Sequence, residues 1–149
     1  MKKVIITIMI LFVVFISSCV SGPDKNAAVS FTDTRWILTE VDGSPVPVVG
    51  NDLMREPFVL FQTEDMRFSG CGGVNNLMGA FQLNEGKLSL SGVARTMMAG
   101  PGLDFEDKFV RALNAINTYT VTGDGLVLSK DGASPLLHFK AVTASASAF

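Results

Sequence analysis

The chain is short of the residues that build catalytic and metal centres. It has one histidine, His138, and two cysteines, Cys19 and Cys71. A lone imidazole needs carboxylates or thiolates beside it to hold a metal, and Cys71 is the one soft candidate. A Cys71–His138 nucleophile pair is conceivable, but nothing in their spacing calls for it. There is no cluster of basic residues, which argues against nucleic acid as a partner. The longest apolar run, Val4 to Ile16, is broken only by Thr7. It is shorter than the roughly 20 residues that a spanning helix needs. No heptad pattern and no short repeat are visible.

What is present is most telling at the N-terminus. Lys2 and Lys3 precede that apolar run, the order of a secretory signal. Ile16-Ser17-Ser18-Cys19 follows and resembles the lipobox of bacterial lipoproteins: an aliphatic residue, two small residues, then cysteine. The resemblance implies that signal peptidase II recognises Ile16, Ser17 and Ser18, that residues 1–18 are removed, and that the Cys19 thiol carries lipid. One acyl chain binds a membrane only marginally, whereas two or more hold it durably. The expected location is therefore the cell envelope. Val20 is not the aspartate that resembles an inner-membrane retention signal. The outer membrane is expected if the cell has two membranes, and otherwise the outer face of the cytoplasmic membrane. Acylated Cys19 could not pair with Cys71, so no internal disulfide is expected, and Cys71 is read as quietly buried. Removing Lys2 and Lys3 leaves ten basic against fourteen acidic residues, a net charge of −4.

Residues 19–32 are rich in small and polar types and read as a flexible tether. Residues 33–141 form one domain, and 142–149 a frayed tail. Thr34 to Val41 reads as the first strand, followed by a turn at Asp42-Gly43-Ser44-Pro45. Val46 to Pro57, with Pro47, Gly50 and Pro57, reads as a loop. Phe58 to Gln62 and Met66 to Ser69 form a hairpin, as do Ala80 to Leu83 and Lys87 to Ser91. Val93 to Met98 is a further strand, and Tyr119 to Thr122, Gly125 to Ser129 and Leu136 to Lys140 close the domain. His138 is expected on the solvent side of an edge-like strand. Phe105 to Asn117 reads as a helix, with Asp104 as N-cap and Glu106 and Asp107 as first-turn charges. Its apolar face is Phe105, Phe109, Ala112, Leu113 and Ile116. The fold class is mainly β with one α-helix. About eight short strands make a curved antiparallel sheet or a conical barrel, with the helix capping one end.

Gly70-Cys71-Gly72-Gly73 with Asn75-Asn76 has the look of a phosphate cradle, but it lacks the P-loop lysine and a following helix. It is read as a tight, irregular crossover. Met54, Met66, Met78, Met97 and Met98 are read as core filling rather than a copper site. No metal and no cofactor are expected.

From Trp36 to Phe139 the chain resembles the META domain (HslJ-like) family. The resemblance rests on the order of several pieces: Trp36-Ile37-Leu38 with Gly43; Phe68-Ser69-Gly70; Asn75; Gly79-Ala80-Phe81; Thr96-Met97-Met98-Ala99; and Glu106, Phe109, Ala112 and Leu113 on the helix. Tyr119, Leu126-Val127-Leu128 and Leu137-His138-Phe139 complete it. The structural motif positions are thus Trp36, Gly70, Asn75, Gly79, Thr96, Met98, Glu106, Phe109 and Leu113. Two positions depart from the family: Val74 and Gly100 stand where members often carry cysteines, and losing both together makes sense if those cysteines pair. The resemblance implies a curved, barrel-like fold and a non-catalytic role in stress or envelope integrity. The expected partner is an unidentified envelope protein. The alternative is an apolar ligand held inside the barrel, as in pilot lipoproteins of related fold, which is an analogy of fold alone.

Overall fold

The computed structural model describes residues 29–47 and 54–142. Nine antiparallel strands and one helix follow one another: β1 (Arg35–Val41), β2 (Ser44–Pro45), β3 (Phe58–Gln62), β4 (Arg67–Cys71), β5 (Asn76–Asn84), β6 (Lys87–Arg95), α1 (Leu103–Ala115), β7 (Thr118–Thr122), β8 (Gly125–Lys130) and β9 (Ser134–Ala141). The sheet order is β2-β1-β3-β4-β5-β6-β7-β8-β9, and β1 also pairs with β9, so the sheet closes into a ring.

Alternation drives this closure. Trp36 and Leu38 of β1, Val59 and Phe61 of β3, Leu77 and Phe81 of β5, Leu126 and Leu128 of β8, and Leu137 and Phe139 of β9 all point inward and are buried. In β1 the register with β9 shifts between Leu38 and Glu40. That bulge turns Val41, rather than Glu40, into the core. The closure is uneven. β1 and β9 pair from Trp36 to Val41, whereas β6 and β7 share a single pair, Lys87 with Thr118.

The two ends of the ring are plugged differently. At the end holding the β3–β4, β5–β6 and β7–β8 turns, the ring of Phe31 stacks on Phe61 at 4.4 Å and lies 4.5 Å from Tyr119. The Trp36 indole donates to the Phe31 carbonyl at 2.8 Å, and the Asp33 carboxylate accepts from the amide and hydroxyl of Thr63. Those bonds hold the Asp33 carboxyl below its ordinary pKa of 3.8. At the opposite end α1 lays Phe109, Ala112 and Leu113 over the core.

Several expectations are corrected. Most of the tether 19–32 lies outside the described residues, but its end, Val29 to Thr32, packs on the domain, with Phe31 only 8% exposed. Residues 70–79 are not a crossover: β4 and β5 form a hairpin that turns at 72–75. Val93 to Met98 is not a separate strand. Gly92, at φ 59°, makes a bulge inside β6, which runs on to Arg95. The helix starts earlier than expected, after Gly102 at φ 97°, with no side-chain cap, and Asp104 lies in its first turn. Asn117 falls outside the helix because its amide donates to Ser129 and its side chain pairs with Asp131. Phe105 is half-buried rather than core. His138 does face outward, 3.9 Å from Glu40, but β9 lies between β8 and β1 and is no edge. Of the methionines read as core filling, Met66, Met78, Met97 and Met98 are exposed, because phenylalanines occupy the interior. The tail from 143 onward lies outside the described residues.

Candidate functional site

Four of the family-motif positions, Asn75, Thr96, Met98 and Glu106, converge at the helix end of the ring. Glu106 is 0% exposed, although it sits in the first turn of a surface helix. Its carboxylate accepts from the Val74 amide at 2.9 Å, the Asn75 amide at 2.6 Å and Asn75 Nδ2 at 2.7 Å. Arg95 Nη1 donates to the same carboxylate at 3.2 Å and to Asp107 at 2.5 Å. The hydrogen bond to Asp107 raises the Arg95 pKa further, so the guanidinium stays charged. The glycine-rich turn is therefore an anion cradle after all, and its anion is a side chain of the same chain. Successive backbone amides form a concavity suited to negative charge. Gly72 has to be glycine, since a Cβ there would lie 2.5 Å from Glu106 Cγ.

Asn75 extends the network. Its Oδ1 accepts from Thr96 Oγ1 at 2.8 Å and from the Met98 amide at 2.7 Å, and its Nδ2 reaches the Met98 carbonyl. Three segments are so tied together: the β4–β5 turn, the loop 96–102 and the start of α1. Arg55 secures the turn from the far side, donating to the Val74 carbonyl at 2.6 Å. The reading of Glu106 as a plain helix-terminal charge is thus corrected. Sequence reasoning also missed Arg95, whose only signal was its place beside Thr96, and Arg55, which carried none within the loop 46–57.

The remaining motif residues pack rather than react. Trp36, Phe109 and Leu113 are each 0% exposed. A Cβ at Gly70 would collide with the Phe58 carbonyl, and one at Gly79 would meet the Phe68 ring. The Met98 side chain projects outward. Cys71 is buried, with Sγ 3.4 Å from the Gly73 amide that donates to it. Strands β3 and β1 separate it from His138 on β9, so the conceivable nucleophile pair is not assembled. Among the described residues no group of three or more His, Cys, Asp or Glu side chains could hold a metal. Ile16, Ser17, Ser18 and Cys19 lie outside the described residues.

The two family cysteine positions are adjacent in space. A Cβ on Gly100 would lie 3.2 Å from Val74 Cγ1. The double substitution Val74→Cys, Gly100→Cys is expected to form a disulfide and to stabilise the domain by about 3 kcal/mol, as closing a loop of about 25 residues should. Melting the oxidised and reduced forms side by side checks it. A failure to bridge would show that the two Cβ directions diverge.

Two concave surfaces flank α1. A groove of about 720 Å³ lies between the helix and the β1–β2 hairpin, floored by Val41, Pro45, Phe105 and Leu136 and rimmed by Asp42, Asp104, Lys108 and Arg111. A smaller cleft of about 360 Å³ separates Val93, Ala94 and Arg95 of β6 from Asp107, Val110 and Arg111.

Known proteins share this architecture. A protein from Burkholderia xenovorans, of known NMR structure, is 27% identical, with 82% of this chain and 97% of that one covered and a TM-score of 0.61. A second NMR structure is 29% identical over 72% of this chain and 87% of the other, with a TM-score of 0.53. No curated protein matches the sequence. A family model described as META domain matches residues 29–143, the span that holds the closed sheet, the helix and the Glu106 network. The chain belongs to the META domain family.

Proposed function

We propose that this is a lipid-anchored cell-envelope protein whose META domain is a non-catalytic protein-interaction module, serving stress tolerance or envelope integrity. The observation that carries this reading is the filled ring. Trp36, Phe61, Phe68, Phe81 and Phe109 occupy the interior at no more than 1% exposure, and the thiol of the described chain is buried with them. What is left to do work is the outer surface. The anchor reading rests on Ile16-Ser17-Ser18-Cys19. Val29, the first described residue, donates to the Gly123 carbonyl at the end of the ring opposite α1.

Metabolic labelling of cells with a clickable fatty acid tests the anchor. Wild type should be labelled, and Cys19→Ser should be unlabelled and retained as the longer precursor. Equal labelling of the two would end the lipoprotein reading. A second reading, binding of a small apolar ligand, moves from the ring interior to the groove beside Phe105 and Leu136. It is the weaker one, because four charged side chains rim that groove.

A further inference from the structure

We propose that the free edge of β6 is a strand-addition site that takes an extended, acidic segment of a partner polypeptide. This rests on the interaction-module reading and names the surface and the chemistry of the partner. Strand β6 pairs with β5 from Lys87 to Arg95. On its other side only Lys87 pairs with β7, and the Leu88 amide donates to the Asn117 carbonyl. Beyond that, from Ser89 to Arg95, the second edge has no backbone partner among the described residues. The chain leaves β6 for the loop and α1 instead of returning along it.

An edge of this kind presents a row of donors and acceptors that only another extended backbone matches. Proteins guard such edges with lysine, proline or bulges. Between Ser89 and Arg95 there is no lysine and no proline; the guards present are the Gly92 bulge, Arg95, whose guanidinium is drawn to Glu106 and Asp107, and α1 across the cleft. Beside the edge lies the cleft against α1. Val93 and Val110 line it and are half-buried, ready to be covered by the inward side chains of an added strand.

Charge selects the occupant. Arg95 is engaged by Glu106 and Asp107, whereas Arg111 on the cleft wall makes no ion pair among the described residues. An acidic side chain on the incoming strand would complete it. A second copy of β6 would not, since the charged residues of that strand are Lys87 and Arg95.

The test uses the full chain in detergent micelles and a capped alternating Val-Glu octapeptide. Its Val-Lys counterpart, and a Val-Glu version N-methylated at alternate residues, serve as comparisons. Binding is followed by fluorescence anisotropy and by amide hydrogen exchange. The Val-Glu peptide should bind and slow exchange at the amides of Ser89 to Arg95, and N-methylation should abolish both effects. Arg111→Glu should weaken Val-Glu binding by about tenfold or more and favour the Val-Lys peptide. The proposal is overturned by any of four results: no binding up to about 1 mM, binding indifferent to N-methylation, protection in the Phe105 groove instead of β6, or a peptide-free dimer protected at β6. Failure here leaves Cys19 labelling unaffected, and an unlabelled wild type leaves peptide binding unaffected, so the edge proposal and the anchor reading fail separately; protection in the Phe105 groove instead of β6 would keep the interaction-module reading while ending this proposal.

Discussion

Glu106→Ala should destabilise the domain by about 3–5 kcal/mol, the loss expected when one partner of a buried charged network is removed. The substitution strands the amides of Val74 and Asn75, and it removes one of the two acceptors of Asn75 Nδ2 and of Arg95 Nη1, which keep the Met98 carbonyl and Asp107. A domain of this size has about 5–15 kcal/mol in total. Each kcal/mol moves the melting temperature by roughly 4 °C, so a fall of about 12 °C or more is expected. Glu106→Gln is the informative companion. It keeps the shape but turns one acceptor into a donor facing a backbone amide, and should cost about 1–3 kcal/mol. A melting curve unmoved by Glu106→Ala would show that the three segments hold together without it.

Phe109→Ala should have an effect of similar size by a different mechanism. The ring is 0% exposed and lies 6.2 Å from the Phe139 ring, where α1 meets the sheet. Truncation leaves a cavity that a closed ring of strands cannot collapse to fill, and losses of about 3–5 kcal/mol are usual for a buried aromatic. The helix should loosen first, since Phe109 is its largest buried apolar side chain and the remaining ties are Ala112, Leu113 and the polar bonds of Glu106 and Asp107. Amide exchange along Leu103 to Ala115 should therefore quicken more than exchange in β3 to β5. Phe105→Ala is the contrast. That ring is half-buried at the groove, and its loss should cost under about 2 kcal/mol. Equal effects at the two positions would mean that the helix is not docked through Phe109.

Runs of β-forming residues bounded by turn signals made the strands near Arg35–Val41, Phe58–Gln62, Gly125–Lys130 and Ser134–Ala141 legible in the sequence, whereas continuous apolar runs such as Phe58-Val59-Leu60-Phe61 do not say which face is buried. The three-and-four spacing of Phe109, Ala112, Leu113 and Ile116 made the helix legible, because its period reports the buried face. The order of the motif pieces made the family legible. Glycines were less informative. Gly92 looked like a break between strands and is a bulge within one, since φ 59° is compatible with either.

By itself, then, the sequence determined the mainly β class, the β3–β4 and β5–β6 hairpins and, to within two residues, where the helix lies, since each is written in local turn signals or a local period. Only the tertiary structure decided what Glu106 does. An acidic residue in a first helical turn has the same local pattern whether it faces water or a distant turn. Its partner Asn75 is 31 residues away, and nothing local encodes that approach. The same holds for Phe31, which looked like part of a tether until the ring closed beneath it, and for the methionines, whose adaptable side chains suit core and surface alike. The near-open seam between β6 and β7 is also a tertiary outcome: pairing of Lys87 with Thr118 depends on where 22 intervening residues of loop and helix, 96–117, place the returning strand.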